Sequence, residues 1–174
     1  MYYESVFKAF NKNKIQYLVA GGLAVNLHGV PRMTPDLDVL VAADDVNLKK
    51  IVTVLTSLKY TNRLPGNAEH LADREKREAW IKNRNLTAYT FYNKKEPFME
   101  VDILLVSPVS FEEAYKRRVV KKGRGISIPI VSMEDLITMK WEVKRETDLD
   151  DIRMLKMLIY HRDRNDKKDS KRRK

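Results

Sequence analysis

The chain contains no cysteine. That absence excludes a disulfide framework, a thiolate zinc site and a cysteine nucleophile. Histidine is scarce: there are three, none at metal-ligand spacing to another, so a histidine-based zinc site has no support. No run of apolar residues reaches the length of about 18 that reads as a membrane-spanning helix. The opening residues MYYESVFKAFNKNK lack the plan of a secretion signal, and a cytoplasmic protein is the expectation. No internal repeat and no long linker interrupts the pattern. What remains is 174 residues, 43% hydrophobic and 33% charged, enough for one domain with a substantial core.

The formal net charge is +10. The last fourteen residues, HRDRNDKKDSKRRK, hold eight Lys or Arg and three Asp, so half of the excess sits there. Residues 1–160 are expected to form the single domain. Residues 161–174 are expected to be a basic tail too polar to bury a folding surface. Such a tail reads either as a solvated disordered end or as a weak electrostatic arm for RNA, DNA or an acidic protein partner.

The stretch YLVAGGLAVNLHGVPRMTPDLDVLVA, residues 17–42, organises the chain. An apolar strand (17–21) runs into Gly21 and Gly22, where the main chain is free to turn and a ligand is free to approach it. LAVNLHG predicts one or two helical turns with Leu23 and Leu27 on one side, ended by Gly29 and Pro31. DLDVLVA (36–42) predicts a second strand. Residues two apart on a strand share a face, so Asp36 and Asp38 point one way and Leu37, Val39 and Val41 the other. Paired carboxylates repel unless a cation or proton relieves them. Mg²⁺, which takes oxygen ligands from carboxylates, phosphates and water, is the usual relief.

Elsewhere the pattern alternates between helices and strands. A helix over 3–14 carries Val6, Phe7 and Phe10 inward and ends at Asn11 and Asn13. Asp44 or Asp45 caps another through about Leu58, with Val46, Ile51, Val54, Leu55 and Leu58 inward. YTNRLPGN (60–67) is a short extended piece and turn. Residues 68–85 form a charged helix anchored by Leu71 and Trp80, its basic side chains either solvated or facing a polyanion. LTAYTFYN (86–93) and FMEVDILLV (98–106) form a hairpin. On its second strand Glu100, Asp102 and Leu104 share a face, and an acid inside VDILLV is costly to bury unpaired. A short helix covers 111–119. ISIPIVS (126–132) is a strand placed at a sheet edge because Pro129 lacks a donor. Ser132 opens a helix to about Arg145, and Thr147 another to about Tyr160 with Leu149, Ile152, Leu155 and Ile159 inward. Lys140 projects from the apolar side of the first of these, so it either snorkels or lines a cavity. His28, at a helix end, reads as a partner for backbone carbonyls.

Gly21-Gly22, His28-Gly29, Arg32, Thr34 and Asp36-x-Asp38 in this order resemble the nucleotidyltransferase superfamily that shares the DNA polymerase β fold. GGLAVNLHGVPRMTPDLDVLV is especially similar to small members, including the AbiEii type of toxin–antitoxin and phage-defence systems. The resemblance implies an α/β (α+β) fold, a mixed sheet flanked by helices with further helices at the C-terminal end. It implies catalytic and metal-binding roles for Asp36, Asp38 and Asp102 around Mg²⁺, two ions in all, with Glu100 a lesser candidate. It also implies NTP binding by Gly21, Gly22, Arg32, Thr34 and Lys140. The segment DLITMKWEVKRETDLDDIRML resembles the family's C-terminal part, and Arg145, Asp148 and Asp151 read as an ion-pair network at that helix junction. The implied reaction is transfer of NMP from an NTP to a hydroxyl of a small molecule, protein or RNA. A catalytically silent antitoxin-like binding protein and a basic nucleic-acid-binding module remain as alternatives. No membrane partner is expected.

Overall fold

In the computed structural model the described residues, 3–172, form one seven-stranded mixed sheet with helices packed on it. In chain order the elements are α1 (Glu4–Lys12), β1 (Tyr17–Val19), α2 (Gly21–His28), β2 (Leu37–Val41), α3 (Asp45–Ser57) and β3 (Tyr60–Asn62). A 3-10 turn (Ala68–Ala72), α4 (Arg74–Arg84), β4 (Ala88–Asn93), β5 (Glu100–Leu104) and α5 (Phe111–Lys116) follow. Last come β6 (Val119–Gly123), β7 (Ile126–Ile130), α6 (Met133–Val143) and α7 (Glu146–Arg172). Among the described residues no helix is long and apolar enough to cross a membrane.

The strand order is β3-β4-β5-β2-β1-β7-β6. β1 lies antiparallel to β2 and parallel to β7, while β2 lies parallel to β5. The two central strands read as apolar runs because they are covered on both faces: every residue of β1 is buried, and so is every residue of β2 except Asp38. Phe7 and Phe10 of α1 pack on Tyr17, with ring centroids 6.4 and 5.1 Å apart. Trp80 stacks on Tyr89 at 5.4 Å, which fixes α4 against β4.

Local caps set the helix starts. The Asp44 carboxylate accepts from the Asn47 N–H at 2.8 Å, and Ser132 Oγ accepts from the Asp135 N–H at 3.1 Å. Asp73 caps α4 in the same way, and it breaks the helix expected over 68–85 into a 3-10 turn carrying Leu71 and a separate α4. In α3 the inward position belongs to Leu48, fully buried, and not to Val46, which is 65% exposed. Val46 lies on the outer side of the first turn, whose inner side is taken by the buried Asn47 and Leu48.

Three further expectations change. Gly21 and Gly22 open α2 and do not precede it, and its buried face is Gly22, Ala24 and Val25, with Leu23 and Leu27 only half-buried. β7 is interior, because β6, unforeseen, pairs outside it. Val131 N–H donates to Val19 O, and backbone alternation then aims the donorless nitrogen of Pro129 at β1. The parallel ladder there pairs only Val19 with Ile130, so the missing donor lies beyond its end. The β6–β7 hairpin turns on Arg124 and Gly125, both at positive φ (50° and 72°), the twist-matched two-residue loop. Finally α7 runs to Arg172, past the expected end near Tyr160, so residues 161–172 continue a helix where an unfolded tail was expected. Tyr160 to Asn165 are exposed, and Arg162 reaches back to Glu134 of α6 at 2.9 Å.

Asn47 is the buried polar hinge of this architecture. Its side chain accepts from Gln16 N–H and donates to Gln16 O and Ala42 O, each at 2.9 Å. Asn47→Ala leaves Gln16 N–H and Ala42 O unmet, while Gln16 O keeps the Ala42 N–H at 3.3 Å, and should cost about 2–3 kcal/mol in urea unfolding; an unchanged midpoint would show that water replaces the amide.

Candidate active site

The open end of the central sheet carries the carboxylates. Asp38 is the second residue of β2, and the parallel register places it directly beside Asp102 of β5. Asp36 lies just before β2 on the same side. All three are half-buried and line one cleft of about 700 Å³ together with Gly21, Gly22, Arg32, Thr34 and Lys140. The structure thus brings these eight residues to one place, while Glu100 and His28 do not line the cleft.

The glycines are there for contact. Gly21 has φ +56°, and a β-carbon on it would overlap the Asp38 carboxylate, which folds over it. A β-carbon on Gly22 would come within 2.6 Å of Thr34 Oγ1 and 3.0 Å of the Arg32 guanidinium carbon. The start of α2 therefore sits pressed between the Asp38 side chain and the loop before β2.

Electrostatics in the cleft are strained. Burial pushes the Asp38 carboxyl up to about 6, helped by Asp102 and Asp36 and opposed by Lys140 and Arg145. Burial raises Asp36 as well, with Asp102 adding to it and Arg63 opposing. Asp102 Oδ1 is buried with no hydrogen-bond partner among the described residues, a costly state for a carboxylate oxygen. Asp102 is thus not the acid half of a simple ion pair. Glu100 is one: Arg63 holds its carboxylate, which explains the weaker case for it as a ligand.

The cationic wall faces these acids. Lys140, only 6% exposed, contacts Asp148 Oδ1 at 3.1 Å and Asp151 Oδ2 at 2.7 Å. Arg145 Nε donates to Asp148 Oδ2 at 2.8 Å, and Arg32 pairs with Asp151. Burial raises the Asp148 carboxyl, but hydrogen bonds from Arg145 and Lys140 outweigh it and hold the group below its usual value. The expected network at the helix junction is present, and it captures two residues assigned to phosphate binding, Arg32 and Lys140. His28 Nε2 lies 2.8 Å from Val131 O, the carbonyl role expected of it, and burial depresses its pKa.

Tyr3 belongs to the site without any sequence signal. Its hydroxyl donates to Pro35 O at 2.5 Å or Glu100 O at 2.8 Å and accepts from Glu100 N–H at 3.0 Å. It ties the loop carrying Asp36 to the start of β5. Only folding brings together residues 32 and 97 positions apart, so periodicity had nothing to detect.

The donor set suits a hard divalent cation: carboxylate oxygens, one of them buried and unpartnered, in a cleft that Lys140 and Arg145 also line. Among the described residues no three acidic or histidine side chains stand close enough to enclose an ion as placed.

Fold and site together define a protein of the nucleotidyltransferase superfamily. Residues 4–165 match the family described as nucleotidyltransferase of unknown function (DUF6036), and the chain belongs to it. No curated protein matches the sequence. Among solved structures, the lincosamide antibiotic adenylyltransferase LnuA with lincomycin bound is similar at 17% identity and TM-score 0.57, over 88% of this chain and 93% of that one. ANT(2")-Ia in complex with adenylyl-2"-tobramycin is similar at 11% identity and TM-score 0.53, over 87% and 83%. An antigenic nucleotidyltransferase-like protein from Paracoccidioides brasiliensis is similar at 17% identity and TM-score 0.52, over 87% and 72%. At these identities the likeness is one of fold.

Two predictions follow from the packing and charge of the cleft. Gly21→Ala combines a positive φ with overlap on Asp38, so it should destabilise the chain by about 1–3 kcal/mol in thermal or urea unfolding; an unperturbed protein would mean the helix start is free to shift. In metal-free buffer Asp38→Asn should be more stable than the parent at pH 7. The folded-state pKa of about 6 lies above the ordinary 3.8, so the folded chain keeps a proton that the unfolded chain has lost. The penalty therefore appears as pH rises through that window and vanishes below it. A stability gap that does not change between pH 4 and 7 would contradict this.

Proposed function

We propose that the chain transfers a nucleoside monophosphate from an NTP to a hydroxyl acceptor, with Mg²⁺ held by Asp36, Asp38 and Asp102. The observation that carries this is the β2–β5 register, which sets Asp38 beside Asp102 beneath the Gly21-Gly22 helix start. When bound, Mg²⁺ would supply charge neutralisation on the phosphates and a lowered pKa for the attacking hydroxyl.

The chain's own residues would do the rest. Gly21 and Gly22 offer backbone N–H groups at the first turn of α2, where the helix dipole favours phosphate oxygens. The absence of side chains there lets the Asp38 carboxylate and the Arg32–Thr34 loop close directly on the helix start. Asp102 accepts the acceptor's proton as general base. The acceptor oxygen bonds to the α-phosphorus as the bond from that phosphorus to the pyrophosphate oxygen breaks, and pyrophosphate leaves. Lys140 spends two of its three N–H donors on Asp148 and Asp151 and has one left for a phosphate oxygen. Arg32, held by Asp151 at the cleft wall, adds positive charge where the leaving group develops negative charge. Thr34 holds the loop against Gly22 and presents a hydroxyl to the cleft. Two neighbours in fold, a lincosamide antibiotic adenylyltransferase with lincomycin bound and ANT(2")-Ia in complex with adenylyl-2"-tobramycin, support a small-molecule acceptor over a macromolecule.

Calorimetric titration with each of the four NTPs tests the reading. At least one NTP should bind with Mg²⁺, not with EDTA, and the Asp36→Asn/Asp38→Asn variant should weaken it more than tenfold. No binding of any NTP by folded protein, or binding indifferent to the variant, would refute the assignment.

A further inference from the structure

A second cavity of about 510 Å³ opens on the other side of the Asp36 loop. It shares Arg32, Thr34, Pro35 and Asp36 with the catalytic cleft, so this loop is a common wall. Its rim is apolar and held in solvent: Met33 is 96% exposed and Phe98 58%. Leu23 and Met99, half-buried, continue the apolar lining inward. Large exposed apolar side chains gathered beside a reactive group mark a binding surface more often than chance.

Most of the polar atoms in this groove are already engaged. The Tyr3 hydroxyl is held by Pro35 O and the Glu100 backbone. Asn26 Oδ1 accepts from the Arg32 N–H at 2.8 Å, and the Arg32 guanidinium is paired with Asp151. The groove therefore offers little to read the hydrogen-bonding edge of a nucleobase and no free cation for a phosphate. With Asp36 as its one carboxylate, it also lacks the acidic lining that a polycation needs. What it offers is an apolar wall with a carboxylate at the inner end.

We propose that this groove is the acceptor subsite, and that the acceptor is an uncharged, hydroxyl-bearing small molecule with an apolar or aromatic body. The body lies between Met33 and Phe98, and its hydroxyl hydrogen-bonds Asp36 at the wall shared with the catalytic cleft. The polyphosphate then occupies the larger cleft, which places nucleophile and leaving group on opposite sides of the α-phosphorus as in-line displacement requires. The hydroxyl proton passes to Asp102, which lines the larger cleft with Asp36, as the new O–P bond forms and pyrophosphate departs. Met33 is suited to such a wall, because an unbranched thioether adapts to varied shapes. The inference rests on the nucleotidyl-transfer reading of the Asp36 site.

The chain has seven methionines, so ¹³C-methyl methionine spectra report directly on the groove. The probes are 2-phenylethanol for the proposed class, tobramycin for a polycation and adenosine for a nucleobase. 2-Phenylethanol should move the Met33 and Met99 methyl signals, and Phe98→Ala should weaken that binding about tenfold by removing a buried aromatic contact. Phe98 is largely exposed, so its loss leaves the core intact. Tobramycin and adenosine should leave both signals in place. Unmoved Met33 and Met99 signals with 2-phenylethanol, while Mg²⁺–NTP binds the same sample, overturn the acceptor groove and spare the transfer reading. A stronger response to adenosine makes the groove a base pocket and also overturns it. Failure of every NTP to bind, with the alcohol still in the groove, removes the transfer reading and the acceptor role with it.

Discussion

Mutual repulsion among three carboxylates at one end of a buried sheet is the constraint on which the rest depends. Asp38 and Asp102 are held side by side by the β2–β5 register, and neither strand can slip without turning its apolar residues out of the core. Burial keeps the Asp38 carboxyl near 6, and Asp102 Oδ1 is left unpartnered. A fold gains nothing in stability from such an arrangement. It is the kind of strain that persists where a site needs it.

The surrounding parts read as devices that hold this strain in place. Tyr3 fastens the Asp36 loop to β5. Gly21 makes room for the Asp38 carboxylate, and Gly22 for Thr34 and Arg32. Across the cleft, Asp148 and Asp151 gather Lys140, Arg145 and Arg32 into one cluster that joins α6, α7 and the loop. Two buried acids against three cations leave that cluster with one positive charge in excess. Its cations are thereby held in fixed positions at the cleft by the fold itself.

The sequence made the centre legible because two periodicities coincide there. Asp-x-Asp puts both acids on one face of a strand, and an acid inside VDILLV contradicts burial so plainly that Asp102 stands out. The resemblance to nucleotidyltransferases added Lys140 and the glycine roles. Long-range pairings were invisible. Nothing local says that Tyr3 reaches Pro35, or that Arg32 meets Asp151 across 119 positions. β6 was missed because Val-Val-Lys-Lys does not alternate, as suits an edge strand protected by lysines. Pro129 misled for a related reason: the rule against proline in an interior strand assumes a full ladder on both sides, and β7 has a single paired position with β1. At the other end, composition alone favoured a disordered tail over 161–174, whereas α7 continues into it as far as Arg172, the last two positions lying outside the described residues.

The most direct test of the central claim is the position of a divalent ion relative to the three aspartates. Crystals grown with Mn²⁺ and a non-hydrolysable NTP analogue would locate it by anomalous scattering. The account predicts Mn²⁺ at oxygen-ligand distance from Asp38 and Asp102, with Asp38 swung off Gly21 and the triphosphate at the start of α2. Mn²⁺ bound elsewhere, or a nucleotide seated with Asp102 Oδ1 still unliganded, would contradict it.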